Sequence, residues 1–275
     1  NKLTELGTWD EALLSAELQD LLAEDFNLSL IGFDDGELDA LLSAETVTDA
    51  GGGADPDEVP EPAEDPVSRA GDIWLLGAHR LLCGDATVTT DVERVLNGAR
   101  ANLTFCDPPY NVDYAGGVGA EKAGKGRRIK NDALGEGFGQ FLYDACVLIN
   151  LYTDGAVYIC MSSSELHTLQ AAFKSAGGHW STFVIWAKDR FTLGRADYQR
   201  QYEPILYGWP DRAKRHWCGD RDQGDVWHIP RPHKNDLHPT MKPVALVERA
   251  LRNSSQRGDL VLDPFGGSGT TLIAA

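Results

Sequence analysis

The chain has 275 residues, enough for one sizeable domain and an appendage, and its net charge of −17 is unevenly placed. Residues 1–70 hold 19 Asp and Glu against only Lys2 and Arg69, whereas residues 71–275 hold 23 of each sign, so the acidity that argues against a nucleic-acid partner belongs to the first part alone. Five scattered cysteines without C-x-x-C spacing speak against a disulfide scaffold and structural zinc, and no run of 18 apolar residues suits a membrane span. A reducing cytoplasmic location, with no membrane partner, is the expectation.

In chain order, residues 1–48 carry two short helical patterns. Asp10 caps Glu11–Ala23, with Leu13, Leu14, Leu18, Leu21 and Leu22 on one side, and Asp34 and Asp35 precede Leu38, Leu41 and Leu42. Residues 49–70 are rich in Gly, Pro and acid, which predicts an extended, disordered linker. From Gly71 onward strands and helices alternate in the α/β manner. Ile73–Leu76 and Arg80–Cys83 read as a hairpin around Gly77-Ala78-His79, and Val88–Leu96 as a helix ended by Gly98. Strand Asn102–Cys106 follows, then helix Phe138–Tyr152, strand Ala156–Cys160, helix Glu165–Ala176 and strand Ser181–Trp186. Strand Pro204–Tyr207, helix Val244–Asn253 and strand Leu260–Asp263 complete the pattern.

Three segments carry chemistry. Asp107-Pro108-Pro109-Tyr110 follows the apolar strand directly, and its two prolines lock φ and remove donors. The turn therefore offers the Asp107 carboxylate and fixed carbonyls as acceptors, with Tyr110 as a flat aromatic surface. An exocyclic amine on a nucleic-acid base is a poor nucleophile because its lone pair is conjugated into the ring. Preorganised acceptors for its two hydrogens draw the nitrogen toward tetrahedral geometry, and an aromatic face suits a base that has left its stack. The second segment, Asp263-Pro264-Phe265-Gly266-Gly267-Ser268-Gly269-Thr270-Thr271, is a glycine-rich turn between a strand and a helix start, without the Lys of a phosphate-binding P-loop. The third, His238-Pro239-Thr240-Met241-Lys242-Pro243, leads into an amphipathic helix with Pro243 at its first turn.

In this order the three segments resemble the DNA amino-methyltransferases that use S-adenosylmethionine, in the permuted arrangement often called the beta class. The resemblance runs from about Gly71 to the last residue and implies a Rossmann-like α/β methyltransferase sheet over 71–275. It also implies catalytic roles for Asp107, Pro108, Pro109 and Tyr110. Asp85, Ala86, Thr240, Lys242, Asp263, Pro264, Phe265, Gly266, Gly267, Ser268, Gly269 and Thr270 are implied to line S-adenosylmethionine. Leu81–Ala86 is similar to the family's third strand and its terminal acid, and Trp186–Lys188 and Tyr202–Tyr207 to strands that shape the base pocket. Residues 1–48 resemble the tail that follows a ParB-like domain in phage-type methylases, although an acidic helical hairpin is an equal reading. The family's next strand after the helix at Thr270 has no counterpart here, so a sheet incomplete at its C-terminal side is expected.

Two loops suit DNA. The glycine-rich stretch after Tyr110 carries Lys125, Arg127, Arg128 and Lys130, placed to hold phosphates around a flipped nucleotide. The segment at about 209–237, where the family places target recognition, carries Arg212, Lys214, Arg215, Arg221 and Lys234 among Trp217 and Trp227. His216, His228, His233 and His238 have no paired-cysteine context, so no metal is expected. The resulting expectation is a restriction-modification type enzyme that methylates adenine N6 in double-stranded DNA, with a homodimer as its candidate assembly. Cytosine N4 shares the geometry, and a non-catalytic DNA-binding or partition-type protein is the alternative from another class.

Overall fold

The computed structural model describes residues 57, 66–113, 129–192, 197–232 and 241–275. The chain divides into two compact units, 1–55 and 56–275, and all of the described residues belong to the second. The helices expected in 1–48, and the linker apart from Asp57 and residues 66–70, lie outside them.

The described part opens with an antiparallel hairpin, β1 (Ile73–Leu76) and β2 (His79–Leu82), followed by α1 (Thr89–Leu96) and β3 (Ala101–Cys106). Next come α2 (Phe138–Tyr152), β4 (Thr153–Cys160), α3 (Leu166–Ser175), and the long pair β5 (Gly178–Thr192) and β6 (Arg200–Pro210). The short strand β7 (Val226–His228), α4 (Val244–Ser254), β8 (Val261–Leu262) and α5 (Thr270–Ala274) complete the unit. Six strands form one mixed sheet in the order β7-β5-β6-β4-β3-β8. Strands β8, β3 and β4 run parallel, while β6 runs against both β4 and β5.

Alternation across the pleat builds two cores. Leu103, Phe105, Tyr158, Trp186 and Ile205 face one side, against Leu246, Val247 and Ala250 of α4. Val157, Ile159 and Leu206 face the other side, against Phe138 and Leu142 of α2 and Leu169 and Phe173 of α3. Each fully buried aliphatic or aromatic side chain of this kind contributes about 1.5–3 kcal/mol relative to exposure. Buried on both faces, the central strands β3 and β4 read in sequence as nearly continuous apolar runs. The C-terminal ends of β8, β3 and β4, the N-terminal end of β6 and the Trp186–Lys188 stretch of β5 share one sheet edge, since Cys160 pairs with Ile205 and Trp186 with Glu203.

The elements match the expected order, with three differences. Strands β5 and β6 run well past the apolar stretches Ser181–Trp186 and Pro204–Tyr207, because ladder pairing continues beyond them, through Ala187↔Tyr202 to Thr192↔Arg200 on one side and to Gly178↔Pro210 on the other. β7 falls in a segment expected as loop: three residues carry no usable period, and its place is set by parallel pairing with Ile185–Ala187. Finally, among the described residues β2 pairs only with β1, so the segment similar to the family's third strand is half of a separate hairpin. A tight turn with Gly77 at φ 63° makes that local pairing easy, and most of its side chains remain exposed.

Candidate active site

Strand β3 ends at Cys106, so Asp107-Pro108-Pro109-Tyr110 emerges at the carboxyl edge of the sheet, where open α/β sheets place their ligand crevices. The Tyr110 hydroxyl donates to Asp107 Oδ1 at 2.6 Å and lies 3.3 Å from Glu203 Oε2. Lys242 Nζ donates to Asp107 Oδ2 at 2.7 Å, lies 3.2 Å from Glu203 Oε2 and sits 5.2 Å from the centre of the Tyr110 ring. Lys188 Nζ reaches Glu203 Oε1 at 2.5 Å and stands 4.6 Å over Trp186. Two carboxylates and two ammonium groups, from four separate segments, thus form one neutral cluster. Pro108 is buried, and its carbonyl accepts no hydrogen bond from the described residues.

A loop hydrogen bond stiffens the turn. Asp132 accepts from the Tyr110 backbone N–H at 2.8 Å through Oδ1, and its carbonyl accepts from Asp113 N–H at 2.8 Å. Asn111, in the left-handed region at φ 59°, accepts from Gly135 N–H at 2.9 Å.

Burial and charge act in opposite directions within the cluster. Burial pushes the Asp107 carboxyl above the ordinary range, Lys242 only partly offsetting it and Glu203 adding to it. Burial would raise Glu203 as well, but Lys242 and Lys188 together hold it down at about 2. Lys242 is pulled down by burial and raised further by Asp107 and Glu203, so it remains protonated. Glu203 is the firmly ionised acid, and Asp107 is the one closer to gaining a proton.

Next to this turn, β8 ends at Leu262 and the glycine turn begins. Asp263 accepts from Phe265 N–H at 2.9 Å and from the Thr271 hydroxyl at 2.7 Å, and burial pushes its carboxyl up to about 6. Gly267 and Gly269 take φ of 53° and 87°, conformations that disfavour any side chain. The Thr270 hydroxyl donates to the Lys242 carbonyl at 3.2 Å, tying the glycine turn to the segment that carries the buried lysine. A Cβ added to Gly266 would lie 3.9 Å from Leu81, so the β1–β2 hairpin borders the turn. Beyond that hairpin, Asp85 accepts from the Thr87 hydroxyl and N–H, which lower its pKa, and pairs with Lys130 at 3.2 Å.

Residues 101–275 match the family model described as DNA methylase. The chain belongs to the DNA methylase family. Residues 12–70 of this methylase also match a ParB-methyltransferase HTH domain. It is 26% identical over 233 residues to DNA adenine methyltransferase YhdJ of Escherichia coli (strain K12), covering 72% of this chain and 74% of the relative. Type II methyltransferase M2.MboI of Moraxella bovis is 26% identical over 195 residues, covering 63% and 71%. In fold, the methylase is similar to the crystal structure of M1.HpyAVI in complex with SAM, with a TM-score of 0.50 and 24% identity over 69% of this chain and 84% of that one.

The structure sorts the remaining expected site residues of the methylase. Lys242, expected at the cofactor, instead meets Asp107 and Glu203 with its side chain, while its carbonyl meets the glycine turn. Arg212 is held away from the crevice. Its guanidinium bonds Asp154 at 2.5 Å and the carbonyls of Asn150, Leu151 and Thr153, closing the end of α2 at the opposite sheet edge. Lys214, Arg215 and Arg221 are exposed, and Arg215 and Arg221 line a shallow cleft of about 340 Å³ with Tyr207 and Trp217. Lys125, Arg127, Arg128, Lys234 and Thr240 lie outside the described residues. No group of three or more His, Cys, Asp or Glu suited to a metal ion occurs among the described residues. Glu203 and Lys188 lie in the two segments expected to shape the base pocket, but neither is among the expected catalytic, cofactor or DNA-binding residues. The available signal was a charge at the end of each of two apolar runs, but only strand pairing brings the two together.

Proposed function

We propose that this methylase transfers a methyl group from S-adenosylmethionine to the exocyclic N6 of adenine in double-stranded DNA after turning the base out of the helix, as a permuted, beta-class enzyme. The residues present fit the cofactor. Gly267 and Gly269 keep side chains away from the turn, and a Cβ at Gly269 would meet nothing within 4 Å, leaving room in front of it. Asp263, Pro264, Phe265, Gly266, Ser268, Thr270, Thr240 and the Lys242 backbone would hold the amino-acid part, with Asp85 and Ala86 on the side of the hairpin. When bound, the cofactor supplies an electrophilic methyl group on a sulfonium.

The chain's own residues prepare the nucleophile. Asp107 and the Pro108 carbonyl accept the two amine hydrogens, which localises the lone pair on nitrogen. Tyr110 offers its ring to the extruded base. The amine nitrogen, held by these acceptors, would take the methyl group that the cofactor supplies, and its extra proton would leave to Asp107 or water. The observation that carries this reading is an acceptor turn at the carboxyl end of β3, with a Pro108 carbonyl unpaired among the described residues next to a carboxylate held by Tyr110 and Lys242.

The test is mass spectrometry of nucleosides from unmethylated duplex DNA incubated with this chain and S-adenosylmethionine. N6-methyladenine that disappears in Asp107→Ala is the expected result, and N4-methylcytosine would replace adenine by cytosine as substrate. The match to a ParB-methyltransferase HTH domain favours a second reading, a non-catalytic DNA-binding protein. DNA binding unchanged in Asp107→Ala, with no methylated base, would select that reading.

A further inference from the structure

The charged cluster is more extensive than an acceptor turn requires. A lone carboxylate on a Pro-Pro turn already suffices as an acceptor, yet here a lysine only 5% exposed is shared between two carboxylates, and a second lysine holds the outer one. Lysine is rarely buried without partners. The four groups come from β3, β5, β6 and the segment before α4, so no local turn geometry explains their meeting.

We propose that Lys242 and Glu203 are positioning residues that set the aim and the charge of Asp107 for methyl transfer. The proposal rests on the reading of Asp107 as the acceptor of the target amine. Lys242 and Tyr110 each occupy one lone-pair direction on a different oxygen of Asp107, which fixes the plane of the carboxylate and leaves its other directions for the substrate. Lys242 keeps Asp107 ionised, and therefore accepting, in surroundings that favour the neutral acid. Glu203 competes for the same ammonium while also lying beside the Tyr110 hydroxyl, so it couples the position of the ring to the charge of Asp107. Lys188 neutralises the far side of Glu203 and limits that competition. The other titratable groups facing Asp107 are Asp263 after β8, Cys160 on β4 and Cys106 on its own strand. Burial holds both thiols neutral through the working range, raising Cys160 and Cys106 alike.

The signature is a pair of opposite shifts. Removing the cation in Lys242→Met raises the Asp107 pKa, so the acid limb of the single-turnover rate moves up by about one pH unit or more. Removing the competing anion in Glu203→Gln lowers it, so that limb moves down. Lys242→Arg keeps the charge and stays near the wild type in pH profile. At neutral pH, Lys242→Met also lowers the rate by about 10²-fold, with S-adenosylmethionine affinity largely retained.

The experiment measures pH–rate profiles of the full chain and its three variants. In parallel, ¹³C NMR follows the titration of the Asp107 carboxyl in aspartate-labelled protein. Damage to folding alone lowers rates without moving either limb, and Glu203→Gln, nearly isosteric, covers the case in which Lys242→Met does not fold. Opposite displacement of the Asp107 titration in the lysine and glutamate variants supports the proposal. An Asp107 titration that stays in place in Glu203→Gln overturns it. If the displacement appears while the wild type makes no methylated base, the network stands and only the proposed reaction falls.

Discussion

Two ion clusters stand at opposite edges of the same sheet. At the carboxyl edge, Lys242 is 5% and Glu203 22% exposed; at the other edge, Arg212 and Asp154 are 44% and 45% exposed. Their closest pairs are equally short, 2.5 Å for Lys188–Glu203 and for Arg212–Asp154, so distance does not separate them. Burial does. Water screens the exposed cluster, which does ordinary fold work: Arg212 and Arg100 bond the last carbonyls of α2, which a helix leaves without partners. The more buried cluster has less solvent to absorb a charge, so each member influences the protonation of the next. Only such a site can hold an acid poised for chemistry.

This contrast can be broken by experiment, and the largest effect belongs to the buried side. Lys242→Met leaves Asp107 and Glu203 facing one another without their shared cation, which should cost about 3–5 kcal/mol in urea unfolding at pH 7, much of it restored in Lys242→Arg. A loss below 1 kcal/mol would mean that water reaches the cluster freely. On the exposed side, Arg212→Ala removes several hydrogen bonds at the end of α2 and should cost about 1–3 kcal/mol. DNA affinity and turnover per folded molecule should be unchanged, and weakened DNA binding would return Arg212 to the interface expected from sequence.

The pH dependence should have opposite signs at the two edges. Asp263 is raised to about 6, so the unfolded chain gives up its proton first and stability falls through this group as pH rises from about 4 to 6. Asp154 is lowered, because Arg212 and Arg100 outweigh the effect of burial, so its contribution is present above about pH 4 and is lost on further acidification. Unfolding free energies of Asp263→Asn and Asp154→Asn against the wild type, taken from pH 3 to 7, should diverge in these two separate windows. The smallest effect is expected for Arg100→Ala, about 0.2–1 kcal/mol for an exposed pair, measurable as a small drop in the urea midpoint.

The legible and illegible parts of the site divide along the same line. Asp107–Tyr110 and Asp263–Thr271 stand out in the sequence because each is a contiguous turn with distinctive residue types at fixed short spacing, placed after an apolar strand. Their meeting follows from β3 and β8 lying side by side as parallel neighbours. The sequence carries no sign of the partners of Arg212, since a basic residue in a loop has the same appearance whether it faces DNA or closes a helix about 60 residues away in sequence.

From sequence alone came the α/β alternation, most helix positions, the Asp107–Tyr110 turn and the glycine turn, because backbone preference and hydrophobic period act over a few residues. Tertiary structure alone decided the lengths of β5 and β6, the place of β7 beside β5 and the joining of Lys188, Glu203, Lys242 and Asp107. The physical reason is range. A charge is ordinary wherever water surrounds it, and these four became a device only when the sheet brought them to one edge and the packed layers excluded the solvent that would have kept them independent.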